Sequence, residues 1–154
     1  MPSLKSYTEI ASPFHLGKIF LYKDRIDKIL RGQIPAPVTV EVDLTTGICN
    51  HNCYYCCFDT PAAKKHYFLK KEIFPTILKE LAGIGVKGIE LVGGGEPTIH
   101  PNIVEFINTA RRNNLAVGIG TNGSLLEKIF PVLNKLTWLR VSLDAATPKT
   151  HSLI

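Results

Sequence analysis

The fold and the chemistry of this chain turn on the stretch Val38-Thr39-Val40-Glu41-Val42-Asp43-Leu44, followed after a short turn by Cys49-Asn50-His51-Asn52-Cys53-Tyr54-Tyr55-Cys56. The first segment alternates apolar and polar side chains, the two-residue period of a strand. The second sets three thiols on one loop directly after it. Three thiolates so spaced can ligate three irons of a cubane iron–sulfur cluster and leave the fourth iron free for a small molecule. Four protein ligands suit electron transfer or structure instead. The pattern points to an enzyme built around a catalytic cluster, with Cys49, Cys53 and Cys56 as metal ligands.

Other uses of the cysteines explain less. Structural zinc sites use two well-separated Cys/His pairs, and no second pair stands at a usual spacing. Cysteines crowded into nine residues close poor disulfide loops, and no signal peptide points to an oxidising compartment. His51 reads as a loop residue beside the cluster rather than a ligand. Cys57 adjoins Cys56, and turning both thiols to one cluster strains the backbone. Cys57 is therefore expected to be a packing cysteine, with a redox thiol as the alternative.

A chain of 154 residues is long enough for one domain with a real core. Its 45% hydrophobic and 20% charged content is ordinary for a soluble globular protein. Met1-Pro2-Ser3-Leu4-Lys5 lacks the apolar core of a secretory signal, and no apolar run reaches the length of a membrane span. With unpaired cysteines, these features give a cytoplasmic expectation. The net charge of +5, from 18 basic and 13 acidic residues, is mild. Lys64, Lys65, His66, Lys70 and Lys71 form a basic cluster that reads as a solvated rim rather than a nucleic-acid surface.

After residue 37, short strands alternate with amphipathic helices. Strands are predicted at Val38–Leu44, Gly88–Val92, Leu115–Gly120 and Leu139–Asp144. Between them Ile73, Ile77, Leu78, Leu81 and Ile84 recur at helical spacing, as do Ile103, Phe106, Ile107 and Ala110, then Leu126, Ile129, Phe130 and Leu133. Pro101 suits a first helical turn, and Ser124 with Glu127 forms a capping-box pattern. Such alternation means right-handed βαβ units and a parallel sheet. The first and fourth strands alternate apolar with polar residues, and Gly118 and Gly120 leave gaps on the third. A parallel sheet covered on both faces reads instead as continuous apolar runs. One polar face fits a sheet curling into a TIM-like barrel, helices outside and a cofactor cavity inside. The cysteine loop, Gly93-Gly94-Gly95-Glu96-Pro97-Thr98, Thr121-Asn122-Gly123, and Ser142 with Asp144 all fall at C-terminal strand ends, where β/α barrels build their active sites.

At this point the residues resemble the radical S-adenosylmethionine superfamily. Cys49-Asn50-His51-Asn52-Cys53-Tyr54-Tyr55-Cys56 is similar to its CxxxCxxC motif, with an aromatic residue before the last cysteine. Gly94-Gly95-Glu96-Pro97 resembles its glycine-glycine-glutamate motif, in the right place after the second strand. The resemblance covers roughly residues 37 to 154 and implies both fold and chemistry. Cys49, Cys53 and Cys56 would hold a 4Fe-4S cluster whose open iron is chelated by S-adenosylmethionine. One electron from the reduced cluster would cleave the sulfonium to methionine and a 5′-deoxyadenosyl radical, which takes hydrogen from a substrate. Tyr55 would contact adenine, while Gly94, Gly95, Glu96 and Pro97 would meet the methionine amino group. Ser142 and Asp144 are candidates for the ribose hydroxyls or the methionine carboxylate, and Thr121 and Asn122 are further candidates. The implied partners are a flavodoxin- or ferredoxin-like electron donor and a substrate that the sequence does not select.

Two other readings compete. Gly118-Ile119-Gly120-Thr121-Asn122-Gly123 is a GxGxxG between a strand and a helix, with Asp144 at the end of the next strand, as in a Rossmann-like dinucleotide-binding oxidoreductase. That reading leaves the cysteines unexplained. A non-catalytic iron–sulfur module would keep the metal without cleaving S-adenosylmethionine. About four strands are visible where a barrel of this family usually has about six units, so residues 37–154 are expected to be a partial, truncated barrel. Its open fourth strand invites association. Residues 1–36 form an N-terminal extension. In it Ile19, Tyr22, Ile26, Ile29 and Leu30 mark a short amphipathic helix ended by Gly32, expected to sit on the bottom or side of the barrel.

Overall fold

The computed structural model describes residues 12–15, 17–58 and 66–152. Lys64 and Lys65 of the basic cluster, and the side chain of Ile19, lie outside them; His66, Lys70 and Lys71 are exposed.

Helices α1 (Lys18–Leu21) and α2 (Lys23–Leu30) precede the sheet. They form in place of one continuous helix, broken at Tyr22. Gly32, at φ +73°, ends α2 where its lack of a side chain is needed. Gly32 N donates to Ile29 O and Gln33 N to Lys28 O, the two bonds of a Schellman stop.

The strands are β1 (Thr39–Thr46), β2 (Tyr67–Phe68), β3 (Gly88–Gly94), β4 (Ala116–Thr121) and β5 (Trp138–Val141). Their order in the sheet is β2-β1-β3-β4-β5, and β1, β3, β4 and β5 run parallel. The sheet is open, the beginning of a barrel rather than a closed one. β2 was not expected. It pairs antiparallel with β1 through Thr45 and Phe68, and Thr46 and Tyr67, and two exposed residues carry no period to detect. The last strand is shorter than expected: it stops at Val141, so Ser142 and Asp144 lie beyond it.

The register explains the one-sided pattern. Val42, Leu91, Ile119 and Leu139 form one row across the four parallel strands, and Glu41, Glu90, Gly118 and Trp138 form the next. The first row faces the helices and joins the core around Leu44, Ile89 and Val117. The second faces the concave side. Trp138 occupies the gap over Gly118, where a Cβ would collide with the indole. Phe14 meets the same indole edge-on at 5.6 Å, so the residues before α1 cover the strands' starting ends, while α2 buries none of its residues and leaves the expected packing residues Ile29 and Leu30 exposed. A cavity of about 750 Å³ remains there between Phe14, His15 and Lys18 on one side and Glu90, Trp138 and Arg140 on the other. Burial raises the Glu90 carboxyl pKa and neighbouring Glu41 adds to the rise, against Arg140 and Lys18.

Three helical segments cover the outer face: α3 (Phe74–Gly83), α4 (Ile103–Arg112) and a 3₁₀ helix (Leu126–Lys135). On α4 the expected Ile103, Phe106, Ile107 and Ala110 are all buried. On α3 the expected Leu78 is buried and Leu81 packs against the core. The expected Ile73 and Ile84 fall at its caps and are exposed, and Phe74, stacked on Phe106 at 4.0 Å, joins the core in their place. The segment after β4 winds at three residues per turn rather than 3.6. Leu126, Ile129 and Val132 therefore share its inner side, while Phe130 and Leu133 turn outward. Pro131 lies inside this segment and has no N–H to offer a tighter or looser ladder. Its N-cap is Leu125 without a side-chain bond, so the Ser124–Glu127 capping box does not form. Pro101 likewise lies just before α4, whose N-cap is Asn102.

His100 sits in this core at 1% exposure. Its Nε2 donates to Leu69 O at 2.9 Å, and its Nδ1 accepts from Asn102 N at 3.1 Å. Burial lowers its pKa, only partly opposed by the Leu69 bond. The unfolded chain thus takes up this proton more readily than the folded one, so the stabilising contribution is full above about pH 6.5 and is lost as pH falls through the folded value. Urea unfolding should show stability declining as the pH is lowered from 7 to 5, with a shallower slope in His100→Gln. Equal slopes in the two proteins would remove His100 as the cause.

Candidate cluster and cofactor site

The root of the cysteine loop is stitched to the end of β3. Gly47, at φ +65°, turns the chain out of β1. Its N–H donates to Gly94 O at 2.8 Å, and Glu96 N donates to Ile48 O at 2.9 Å. This crossing requires glycine: a Cβ on Gly95 would collide with the Ile48 carbonyl, and one on Gly93 would stand 2.8 Å from Thr45 O. The glycine run lets two strand ends touch.

Glu96 is 2% exposed, which excludes the reading of it as a solvent-facing residue. Its Oε1 accepts from Thr98 N (3.0 Å), Thr98 Oγ1 (2.5 Å) and Thr121 Oγ1 (2.6 Å), and its Oε2 accepts from Asn122 N (2.7 Å). The polar atoms of Glu96 and Thr121 are thus turned on each other, tying the end of β3 to the end of β4. Pro97 opens the 3₁₀ turn Pro97–Ile99 and is buried with Thr98.

Cys49 and Cys56 are exposed, Cys53 is half-buried, and all are free thiols. Cys56 N donates to Cys53 O at 2.9 Å, a tight turn within the motif. Cys49 Sγ accepts from His51 N at 3.4 Å and from Asn122 Nδ2 at 3.8 Å. Cys57 is exposed, not packed, because it follows Cys56 into the same outward turn. Among the described residues, no three His, Cys, Asp or Glu side chains converge as ligands of a single metal ion. A cubane places no such demand, because each thiolate takes a different iron. Three unpaired thiols on one loop, with N–H donors already aimed at one sulfur, fit that group.

The remaining candidates lie around the loop. The Tyr55 ring is 49% exposed, while its hydroxyl lies against Asp144 and Cys53. Loss of solvent around the hydroxyl, then the approach of Asp144 and of Cys53, pushes its pKa well above the usual phenol value. Tyr55 therefore stays protonated. Ser142 N donates to Thr121 O at 2.8 Å, which brings the chain after β5 to the same edge. Three partners escaped sequence reasoning. Asn50 Oδ1 accepts from Asn122 Nδ2 at 2.8 Å, and His51 Nε2 lies 2.7 Å from Ser124 Oγ. Thr98 supplies two of the four donors on Glu96. The first two pair across 72 and 73 positions and leave no local signal; Thr98 is two residues from Glu96, and its role shows only once that carboxylate is buried.

The GxGxxG is not laid out as a dinucleotide-binding turn. Gly118 and Gly120 lie inside β4 facing Trp138 and Arg140, and only Gly123, at φ +85°, is in the turn. No α-helix follows it to present an N-terminus to a pyrophosphate.

Comparison with known proteins agrees with this geometry. The profile of the Radical SAM superfamily matches residues 44–154, and the chain belongs to that family. It is 37% identical over 114 residues to an S-adenosylmethionine-dependent nucleotide dehydratase of Flammeovirga pacifica, covering 69% of this chain and 38% of that protein. It is 35% identical over 114 residues to a probable GTP 3′,8-cyclase of Methanothermobacter thermautotrophicus, covering 71% and 36%. The chain thus spans under two-fifths of the length of these relatives, which are enzymes. In fold it is similar to the crystal structure of BtrN in complex with AdoMet and 2-DOIA, with a TM-score of 0.61 at 19% identity over 75% of this chain and 50% of that one. Enzymes of this superfamily use a 4Fe-4S cluster and S-adenosylmethionine.

Glu96→Gln puts an amide N–H₂ against donors that need an acceptor. It should cost about 1.5–3 kcal/mol, read as a lower urea midpoint; an unchanged midpoint would mean the carboxylate is not holding the two strand ends. Gly95→Ala should fail to form the loop root and lose soluble yield or cooperative unfolding. A cooperative variant of native stability would show that the Ile48 contact can relax.

Proposed function

We propose that this chain forms the cluster-binding part of a radical S-adenosylmethionine enzyme, with residues 37–154 as a partial barrel and residues 1–36 as an extension. The observation that carries it is the set of three free thiols at the C-terminal edge of a parallel sheet, on a loop whose root is bonded to the glycine-rich end of β3. Cys49, Cys53 and Cys56 hold the 4Fe-4S cluster, which when bound supplies one electron to the sulfonium of S-adenosylmethionine. The outcome is methionine and a 5′-deoxyadenosyl radical for hydrogen abstraction.

The chain's own residues bind and orient the nucleoside. Tyr55, next to Cys56 and half exposed, offers a ring face to adenine. Asp144 and Ser142 are exposed just past the end of β5, suited to the ribose hydroxyls, and the Ser142 hydroxyl can also donate to the methionine carboxylate. The Gly94–Pro97 segment meets the methionine end through its backbone, because the Glu96 side chain is already engaged. Thr121 acts through that same bond. An external flavodoxin- or ferredoxin-like protein supplies the electron, in the cytoplasm. Relatives are named for acting on nucleotides and for making heme, so similarity alone selects no substrate. No described helix is long and apolar enough to cross a membrane.

Anaerobic iron–sulfide reconstitution followed by electron paramagnetic resonance, with and without S-adenosylmethionine, tests the reading. A cluster signal that shifts on adding the cofactor is expected; an unshifted signal would favour a non-catalytic iron–sulfur module. Cys49→Ala, Cys53→Ala and Cys56→Ala should each abolish cluster retention, and Cys57→Ala should retain it. Iron loss from Cys57→Ala equal to the other three would overturn the three-ligand assignment.

A further inference from the structure

Among the described residues, Asn122 touches both the carboxylate clip and the cysteine motif. Its backbone N–H is held by Glu96 Oε2 at 2.7 Å, and its Oδ1 accepts from Ser124 N at 3.0 Å. With the amide oxygen so fixed, the Nδ2 group must face the cysteine loop. It has two hydrogens, and the two acceptors before it are Asn50 Oδ1 at 2.8 Å and Cys49 Sγ at 3.8 Å. The adjacent Ser124 braces the same loop through its Oγ, 2.7 Å from His51 Nε2. The turn after β4 thus grips the cysteine motif from outside, and the grip is anchored in the buried Glu96.

We propose that Asn122 is a positioning residue for the iron–sulfur cluster, donating an N–H···S bond to Cys49 that raises the cluster's reduction potential. The inference rests on the cluster reading above and assigns Asn122 to the metal end of the site, apart from its candidacy as a contact of S-adenosylmethionine. A donor on a thiolate sulfur withdraws negative charge from it. The reduced cluster carries one more electron than the oxidised one, so the donor stabilises the reduced state more and makes reduction easier. His51 N gives the same sulfur a backbone donor at 3.4 Å that no side-chain change removes. The Asn122 contribution is therefore the adjustable part.

The test is a redox titration of the reconstituted full chain, followed by electron paramagnetic resonance, for the wild type, Asn122→Ala and Asn122→Asp. Alanine removes the donor, and aspartate replaces it with an isosteric negative charge; both keep the backbone N–H that Glu96 holds. At one fixed poise the reduced-to-oxidised ratio should fall three- to tenfold in the alanine variant and further in the aspartate variant. Tenfold corresponds to about 59 mV for a one-electron couple. Iron content and the far-ultraviolet dichroism of the variants should match the wild type, and so should the affinity for S-adenosylmethionine measured by calorimetry. Unchanged potentials at full iron content would overturn the assignment while leaving the cluster reading intact. Weakened cofactor affinity at an unchanged potential would also overturn it, returning Asn122 to the nucleoside. A wild-type chain that is folded but takes up no iron would overturn both.

Discussion

A buried carboxylate organises the functional edge of this protein. Removing Glu96 from water is costly unless its lone pairs are filled, and four donors fill them: two from Thr98, one from Thr121 and one from Asn122. That compensation exists only when the 3₁₀ turn after β3 and the last residues of β4 stand in one arrangement. The Glu96 backbone N–H then holds Ile48 O, and Ser142 N holds Thr121 O. Four strand ends are joined in a single hydrogen-bonded set, so the cysteine loop rises from a fixed platform. Preorganisation of this kind suits a site that must hold a cluster and a small molecule in one geometry.

At the other end of the strands the constraint is volume. Gly118 leaves a hole in the concave face, and the Trp138 indole fills it from the neighbouring strand. Phe14 then closes over the indole. The concave face is thus plugged by aromatic packing at the bottom and kept polar and open at the top. The four parallel strands face both ways: an apolar row against the helices, and a row of Glu41, Glu90, Gly118 and Trp138 toward the lumen.

Much of this was legible beforehand because its causes are local. Alternation in Val38–Leu44 reports a strand with two unlike faces, and helical spacing in Ile103–Ala110 reports the buried side of α4. Three cysteines on one loop carry the superfamily's motif within eight residues. The reading failed where a neighbour or a different winding decided. Phe74, stacked on Phe106, joins the core where Ile73 and Ile84 were expected. A three-residue period replaces Phe130 with Val132 in the core. Ser124 turns to His51 rather than capping a helix. Cys57 is exposed because the loop's last turn faces outward.

The sequence by itself determined the order of the parallel strands and the helical segments between them, the polar inner face and the placing of Cys49, Cys53 and Cys56 on one loop, since each follows from period or spacing within a few residues. Only the tertiary structure decided what the other motif residues do. The glycine run could have been no more than a tight turn; the collision of a Gly95 Cβ with Ile48 shows that it also serves a backbone crossing. Glu96 could have faced solvent, and burial beside four donors shows that it does not. The GxGxxG could have met a pyrophosphate, but the pleat of β4 turns its first two glycines toward Trp138 and Arg140. In each case the deciding partner lies on a different strand, and hydrogen bonds and packing between strands exist only once the sheet has formed.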